Sequence, residues 1–205
     1  MVEHQLRRRG IADRRVLQAF LDVPRHLFVP PSHRDMAYAD RPLPIGEGQT
    51  ISQPYIVARM TEAVELTGSE RALEVGTGSG YQAAILAKLC REVVSIERHQ
   101  VLSERAALVL ADLGITNVRL VVGDGSLGYP EAAPYDVIVV TAAAARIPPA
   151  LTEQLAEGGR MVIPVGPPAA QSLILARKTA GKLTSEDLGG CVFVPLITGA
   201  DQGEG

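Results

Sequence analysis

Tryptophan is absent from the 205 residues, and phenylalanine and tyrosine occur only three and five times. Aromatic platforms of the kind that stack unpaired bases are therefore scarce. Cysteine occurs twice, as Cys90 and Cys191, without CxxC spacing or flanking histidines. That excludes a disulfide framework and a zinc site, and both residues read as buried, reduced thiols of a cytoplasmic protein. An excess of one charge is also missing: 20 Lys+Arg stand against 23 Asp+Glu, for a net charge of -3. Electrostatic capture of nucleic acid is not the expectation. The longest apolar run, Val137 to Ala145, is broken by Thr141 and falls short of the roughly 18 residues of a membrane span. The opening residues, MVEHQLRRRG, lead into IADRRVLQAF rather than the apolar core of a secretory signal. What the chain does have is 46% hydrophobic residues, ample for the core of one soluble domain.

The N-terminal third combines helices and loops. Val16, Leu17, Phe20 and Leu21 recur at helical spacing after Asp13, a candidate N-cap, and Pro24 stops the turn. From Val29 to Pro54, five prolines (Pro30, Pro31, Pro42, Pro44, Pro54) with Gly46 and Gly48 argue against regular structure. The same stretch carries Tyr38, Leu43, Ile45, Ile51 and Tyr55, too apolar for disorder, so it reads as an ordered cover over a site. Ile56, Val57, Met60 and Val64 then give a helical stripe ending near Gly68.

Beyond that point the rhythm changes. Short β-rich runs at 72–75, 93–97, 118–122, 135–140 and 160–165 alternate with amphipathic or Ala/Leu-rich segments such as 81–89 and 101–113. Such alternation predicts a doubly wound α/β fold with a mostly parallel sheet. After Gly166 the runs 172–178 and 191–197, with Gly181 and Gly189-Gly190 as turns, predict an antiparallel addition at one edge. The chain is expected to be one domain over 1–205: a helical and loop cover (1–68), an α/β core (69–166), C-terminal strands (167–198) and a flexible polar tail (199–205).

The strongest local signal is Ala72-Leu73-Glu74-Val75-Gly76-Thr77-Gly78-Ser79-Gly80, a strand entering alternating glycines ahead of a helix. Glycines at a strand's carboxyl end let a ligand approach the backbone and meet a helix N-terminus. A dinucleotide fingerprint would need a third glycine where Tyr81 stands, so NAD and FAD match poorly. The spacing GxGxG instead resembles the donor loop of S-adenosylmethionine-dependent methyltransferases. Glu97, ending the second strand, can accept from both ribose hydroxyls; the alternative is a solvated charge paired with Arg98. Asp124, in Gly123-Asp124-Gly125, can take the adenine amino group or form an ordinary Asp-Gly turn.

The stretch AYADRPLPIGEGQTISQPY (37–55), with EVGTGSGYQAAILA, SIER, GDGSLGYPEAAPYD and VFVPL, resembles the protein-L-isoaspartate O-methyltransferase family from the first helix to residue 197. The resemblance implies methyl transfer from S-adenosylmethionine to the α-carboxylate of isoaspartyl residues in damaged proteins and peptides. The ester then closes to a succinimide, whose hydrolysis restores some normal linkages. It implies Ser52 at the active site. Donor contacts are implied at Thr50, Ile51, Gln53, Glu74, Gly76, Thr77, Gly78, Ser79, Gly80, Glu97, Arg98, Asp124 and Gly125, with S-adenosylhomocysteine as product and no metal. The implied partners are isoaspartyl substrates rather than nucleic acid or membrane, and the chain is expected to be a cytoplasmic monomer. Ala145 and Arg146 stand where many relatives carry proline and an acidic or neutral residue, a departure confined to the surface near the site.

These residue types suit the chemistry. A carboxylate with an ordinary pKa of roughly 3.5 is already ionised at neutral pH and attacks without a general base. None of His4, His26, His33 and His99 falls in the glycine loop or the QTISQP segment, and His99 reads as a surface helix-start residue. Ser52 is expected to orient the carboxylate rather than attack, since a seryl intermediate would need a neighbouring base; the other role open to it is an N-cap ahead of Ile56. The 46–55 loop and residues 192–196 are the surfaces expected to bind substrate main chain. A methyltransferase acting on nucleic acid or a small molecule is the rival. Its only candidate basic surface, Arg7, Arg8, Arg9, Arg14 and Arg15, reads as a solvated helical face.

Overall fold

In the computed structural model, which describes residues 1–199, the Val/Ile-rich runs form a seven-stranded sheet. Its strands are β3 (Arg71–Val75), β4 (Glu92–Glu97), β5 (Val118–Val122), β6 (Tyr135–Val140), β7 (Leu155–Val165), β8 (Gln171–Thr179) and β9 (Lys182–Cys191). They lie in the order β5-β4-β3-β6-β7-β8-β9. The pairings from β5 to β7 are parallel, and β7-β8 and β8-β9 are antiparallel. The strand order reverses beside β3, so the carboxyl ends of β3, β4 and β6 open the crevice in which such sheets bind ligands.

Successive residues of a strand face opposite sides, and the core divides accordingly. Ala72, Val93, Val137, Val139 and Val162 join one cluster, against the N-terminal helices, α3 (Tyr81–Ala87) and α4 (Gln100–Asp112). Leu73, Val94, Ile96, Ile138, Val140 and Met161 join the other, beneath the short helix α5 (Pro149–Gln154). The first cluster runs continuously from Val2 to Leu175 and so packs the cover and the sheet together.

The cover begins with a turn of π-helix (Val2–Leu6) and α1 (Arg14–Asp22). Asp13 caps α1 as its position suggests, its side chain accepting from the Arg15 and Val16 amides. Two short 3-10 segments follow, Arg25–Phe28 and Pro31–Met36, and α2 spans Pro54–Ala63.

Several expectations need correction. The proline-rich stretch is not wholly irregular: β1 (Leu43–Gly46) and β2 (Gln49–Ile51) pair as an antiparallel hairpin. Glu47 and Gly48 turn it with φ of 52° and 67°, the handedness that tight hairpins require. Among the described residues the last strand is β9, at 182–191, and Gly189-Gly190 lie within it; beyond Cys191 the segment expected as a strand makes only an isolated bridge, Ala143 to Pro195. The arginine cluster is partly structural. Arg9 pairs with Asp40 at 2.5 Å and lies 3.5 Å from the Tyr55 ring centre, and Arg15 donates to the Leu66 and Leu89 carbonyls. The reading of the tail as flexible falls on residues outside the described ones, except Gly199, whose amide donates to Asp124.

Candidate active site

β3 delivers the chain into Gly76-Thr77-Gly78-Ser79-Gly80, where the glycines have φ of 97°, 52° and 85°. At Gly76 the requirement is also spatial, because a Cβ there would fall on Thr141 Oγ1. Thr141 follows β6 and donates its hydroxyl to the Gly76 carbonyl at 2.7 Å. The Gly76 and Thr77 amides donate to the Ile96 carbonyl of β4, so the loop is pinned between two parallel strands.

Glu97 ends β4, buried and doubly held: one oxygen accepts from the Gly78 amide at 2.8 Å, the other from the His99 amide at 2.9 Å. Its alternative as a solvated charge is thereby overturned. His99 is the N-cap residue of α4, the helix start its position predicted, but it is half-buried and lines the ligand cleft rather than lying on the surface. Asp124 does form the local turn, accepting from the Ser126 amide and hydroxyl and from Gly199. Burial opposes its ionisation, but these bonds, with Arg98 nearby, hold its pKa below the usual carboxylate range.

Together these elements wall an open cleft at the carboxyl ends of β3, β4 and β6. Thr50, Ile51, Ser52, Gly76, Thr77, Gly78, Ser79, Glu97, Arg98 and Gly125 line it, as does the 194–197 segment. Gln53, Glu74, Gly80 and Asp124, also expected at the donor, do not. Gln53 caps α2 by position and donates to the Asp40 carbonyl. Gly80 packs against Ala106. Glu74 is wholly buried one strand residue behind the wall, where Ser95 donates to it and its Oε1 has no hydrogen-bond partner.

The hairpin and the residues after it form the lid, and a second groove lies along it, lined by Arg9, Tyr55, Gln171 and residues 190–194 among others. Thr50, Ser52, Thr141 and Val194 line both cavities. Ser52 is not the N-cap of α2, which begins after Gln53, so its side chain is not used up in capping. Its carbonyl accepts from Arg25, a residue the sequence patterns did not single out. An arginine set among Val23, Leu27, Phe28 and Val29 was the available signal. Among the described residues there is no group of three or more side chains suited to a metal, and no helix long and apolar enough to cross a membrane.

A loop of alternating glycines, a carboxylate fixed at the next strand end and a buried acid behind the wall with one oxygen unpartnered suit a cationic adenosine compound. The arrangement defines a doubly wound S-adenosylmethionine-dependent methyltransferase. A precorrin-6y C5,15-methyltransferase from Geobacter metallireducens shares this fold, at 16% identity and a TM-score of 0.52 over 58% of this chain and 65% of its own. The particular family is shown by nearer relatives. The profile of the protein-L-isoaspartate(D-aspartate) O-methyltransferase family matches residues 1–201. A protein-L-isoaspartate O-methyltransferase from Methanoculleus marisnigri is 58% identical over 96% of this chain and 90% of its own, and one from Koribacter versatilis 55% over 96% and 89%. A solved protein-L-isoaspartate O-methyltransferase superposes with a TM-score of 0.86 at 34% identity, over 95% of this chain and 65% of that one. A second, from Plasmodium falciparum and described as a putative member in complex with S-adenosyl-L-homocysteine, gives 0.81 at 28% over 96% of each. The chain belongs to the protein-L-isoaspartate(D-aspartate) O-methyltransferase family, and its activity is S-adenosylmethionine-dependent methylation of isoaspartyl residues in protein repair.

Proposed function

We propose that the cleft at Gly76–Gly80 holds S-adenosylmethionine and that the adjoining groove brings an isoaspartyl α-carboxylate to it across Ser52. The observation that carries this is the shared wall of Thr50, Ser52, Thr141 and Val194. The donor supplies an electrophilic methyl carbon on a sulfonium centre. The glycine loop lets it approach the backbone of residues 76–79, Glu97 and Arg98 hold its ribose side, and Gly125 and the 50–51 backbone close around it. Gln53, Gly80 and Asp124 support that wall from outside.

Ser52 orients the incoming carboxylate and takes no proton, because the nucleophile is already ionised. Alignment is the catalytic task, and holding the reacting atoms in contact is worth on the order of 7 to 11 kcal/mol. The lid also keeps water from an ion pair that is neutralised as the methyl moves. Substrate main chain runs along residues 192–194, where Gln171 holds both main-chain groups of Phe193 and Ala143 holds the Val194 carbonyl, leaving the Val192 groups and the Val194 amide to read backbone rather than side chains. The chain works as one domain, 1–205, and as a cytoplasmic monomer. The continuous core and the two unpaired cysteines support this.

Incubation with methyl-labelled donor and paired peptides, identical but for an aspartyl or isoaspartyl link, tests the proposal. Label is expected in base-labile ester on the isoaspartyl peptide alone. Equal labelling of both, or loss of label from Ser52 or Glu97 variants by a common fall in donor affinity, would overturn the division of roles.

A further inference from the structure

We propose that Glu74 is a positioning residue that senses the charge of the bound donor through two hydroxyls, Ser95 and Thr77, and releases a proton to solvent as the donor binds. The proposal rests on the donor occupying the cleft at residues 76–80. Glu74 Oε2 is hydrogen-bonded to Ser95 Oγ, which lies 2.5 Å from Thr77 Oγ1, and Thr77 lines the cleft. All three residues are buried. Side chains of two adjacent parallel strands and of the loop after β3 thus form a single file from the sheet interior to the ligand wall.

Each hydroxyl has one proton to donate, so the end of the file decides its direction. When Glu74 is ionised it only accepts; Ser95 donates to it, Thr77 donates to Ser95, and Thr77 leaves lone pairs toward the cleft. When Glu74 is protonated it donates to Ser95, Ser95 donates to Thr77, and the Thr77 proton is free to turn toward the cleft. A cation in the cleft favours the first arrangement. S-adenosylmethionine carries a sulfonium and an ammonium against one carboxylate, whereas S-adenosylhomocysteine has lost the sulfonium. Donor binding therefore favours loss of the Glu74 proton, and methyl transfer favours its return.

The surroundings leave that proton exchangeable. Burial pushes the Glu74 pKa up to about 8, the Ser95 bond opposing and the Glu97 charge at the end of β4 adding to the rise. The Ala83 amide of α3 favours the ionised form, though Glu74 Oε1 makes no hydrogen bond. Because the ionised form prefers the cation, affinity for donor relative to product rises with pH through this region.

Calorimetric titration of the whole chain in phosphate and in Tris, whose ionisation heats differ, counts the protons released on binding. The sulfonium lowers the amine pKa of S-adenosylmethionine relative to that of S-adenosylhomocysteine, so the ligand amines do not cancel and the Glu74 share is the part of the difference that Glu74→Gln removes. At pH 7.5, the excess release with donor over product is expected to be larger in wild type by a few tenths of a proton than in Glu74→Gln, which keeps a hydrogen-bonding side chain but does not titrate. Ser95→Ala, which cuts the file and leaves the acid, should lose at least half of that added release. The same excess in wild type and Glu74→Gln overturns the proposal. So does Ser95→Ala with the full wild-type excess, since Glu74 would then sense charge directly through space. Failure of the wild type to bind either ligand overturns the donor site itself, and this proposal with it.

Discussion

The Arg25 guanidinium donates from Nη2 to the Ser52 carbonyl at 2.8 Å, while its Nε donates to the carbonyl of Ala37 at 2.7 Å. The side chain is fully buried and its guanidinium carbon lies 4.9 Å from the ring centre of Tyr81, the first residue of α3. One cation thus joins two loop segments of the cover to the helix that follows the glycine loop. Burial pulls its pKa down to about 10, with Tyr81, Asp40 and Tyr38 opposing, so it remains charged at neutral pH.

Replacing Arg25 with methionine keeps most of the volume and removes both bonds, leaving two carbonyls without their donor. Hydrogen bonds from a charged group contribute about 1.5 to 3 kcal/mol each. The Arg25→Met chain is expected to melt at lower temperature. Because displacement of a positioning group by about 1 Å can cost on the order of a hundredfold in rate, kcat should fall at least tenfold. Affinity for S-adenosylhomocysteine, measured by calorimetry, should stay within a few-fold, since Arg25 does not line the donor cleft. Equal losses in both would mean that Arg25 merely holds the fold together.

Ser52 itself should show the same division more sharply and without the stability cost. The residue lies on the wall common to the two cavities, and its hydroxyl is not needed to cap α2. Ser52→Ala is expected to lower turnover of an isoaspartyl peptide by about tenfold or more, the scale of a lost orienting contact. Its melting temperature and donor affinity should be near wild type. Unchanged turnover would remove Ser52 from the proposed mechanism.

Glu97 is the counterpart on the donor side. Its two oxygens are matched to two amides, Gly78 and His99. An amide side chain presents one oxygen and one NH₂, so Glu97→Gln sets a donor against a backbone donor at one end. Loss of a charged acceptor at about 1.5 to 3 kcal/mol predicts a roughly tenfold to hundredfold weaker affinity for S-adenosylhomocysteine. Turnover at saturating donor should fall much less. A Glu97→Gln chain that binds product as tightly as wild type would show that the carboxylate serves the loop alone.

How far this site was legible in the sequence depended on whether a residue's role was local. β5 and β6 fall on 118–122 and 135–140 as expected: β6 is buried at all but Asp136 and reads as an apolar run, and β5, a half-exposed edge strand, still carries Val118, Leu120, Val121 and Val122. The Asp13 cap was legible for the same reason, since its partners lie two and three residues away. The β1-β2 hairpin was hidden by prolines at its edge, and only the alternating burial from Leu43 to Gly46 betrays it. β9 was missed because the polar run Lys182–Cys191 buries no residue on either face and pairs only with β8. Arg25 could not be placed at all: its partners are twelve and twenty-seven residues on, and nothing in its spacing names them. Glu74 was assigned to the donor by its place in the motif, yet the register of β3 turns it away from the wall.

A last prediction concerns acid stability, far from the chemistry. Glu70 precedes β3 and accepts from the Thr67 amide at 2.8 Å, the Thr67 hydroxyl at 2.7 Å and the Gly68 amide at 2.9 Å, closing the turn that enters the sheet. Burial resists its ionisation, but these bonds outweigh that and hold its pKa below the ordinary value. A depressed folded-state pKa contributes stability above the unfolded value of roughly 4.3, and that contribution disappears as pH falls through the folded value. Glu70→Gln, with one acceptor oxygen instead of two, should therefore be less stable than wild type at pH 7 by about 1 to 3 kcal/mol. In urea titrations at successive pH values the gap should narrow below pH 5 and approach the difference of two neutral side chains near pH 3. A gap that stays constant down to pH 3 would mean that Glu70 acts through its shape and not through its charge.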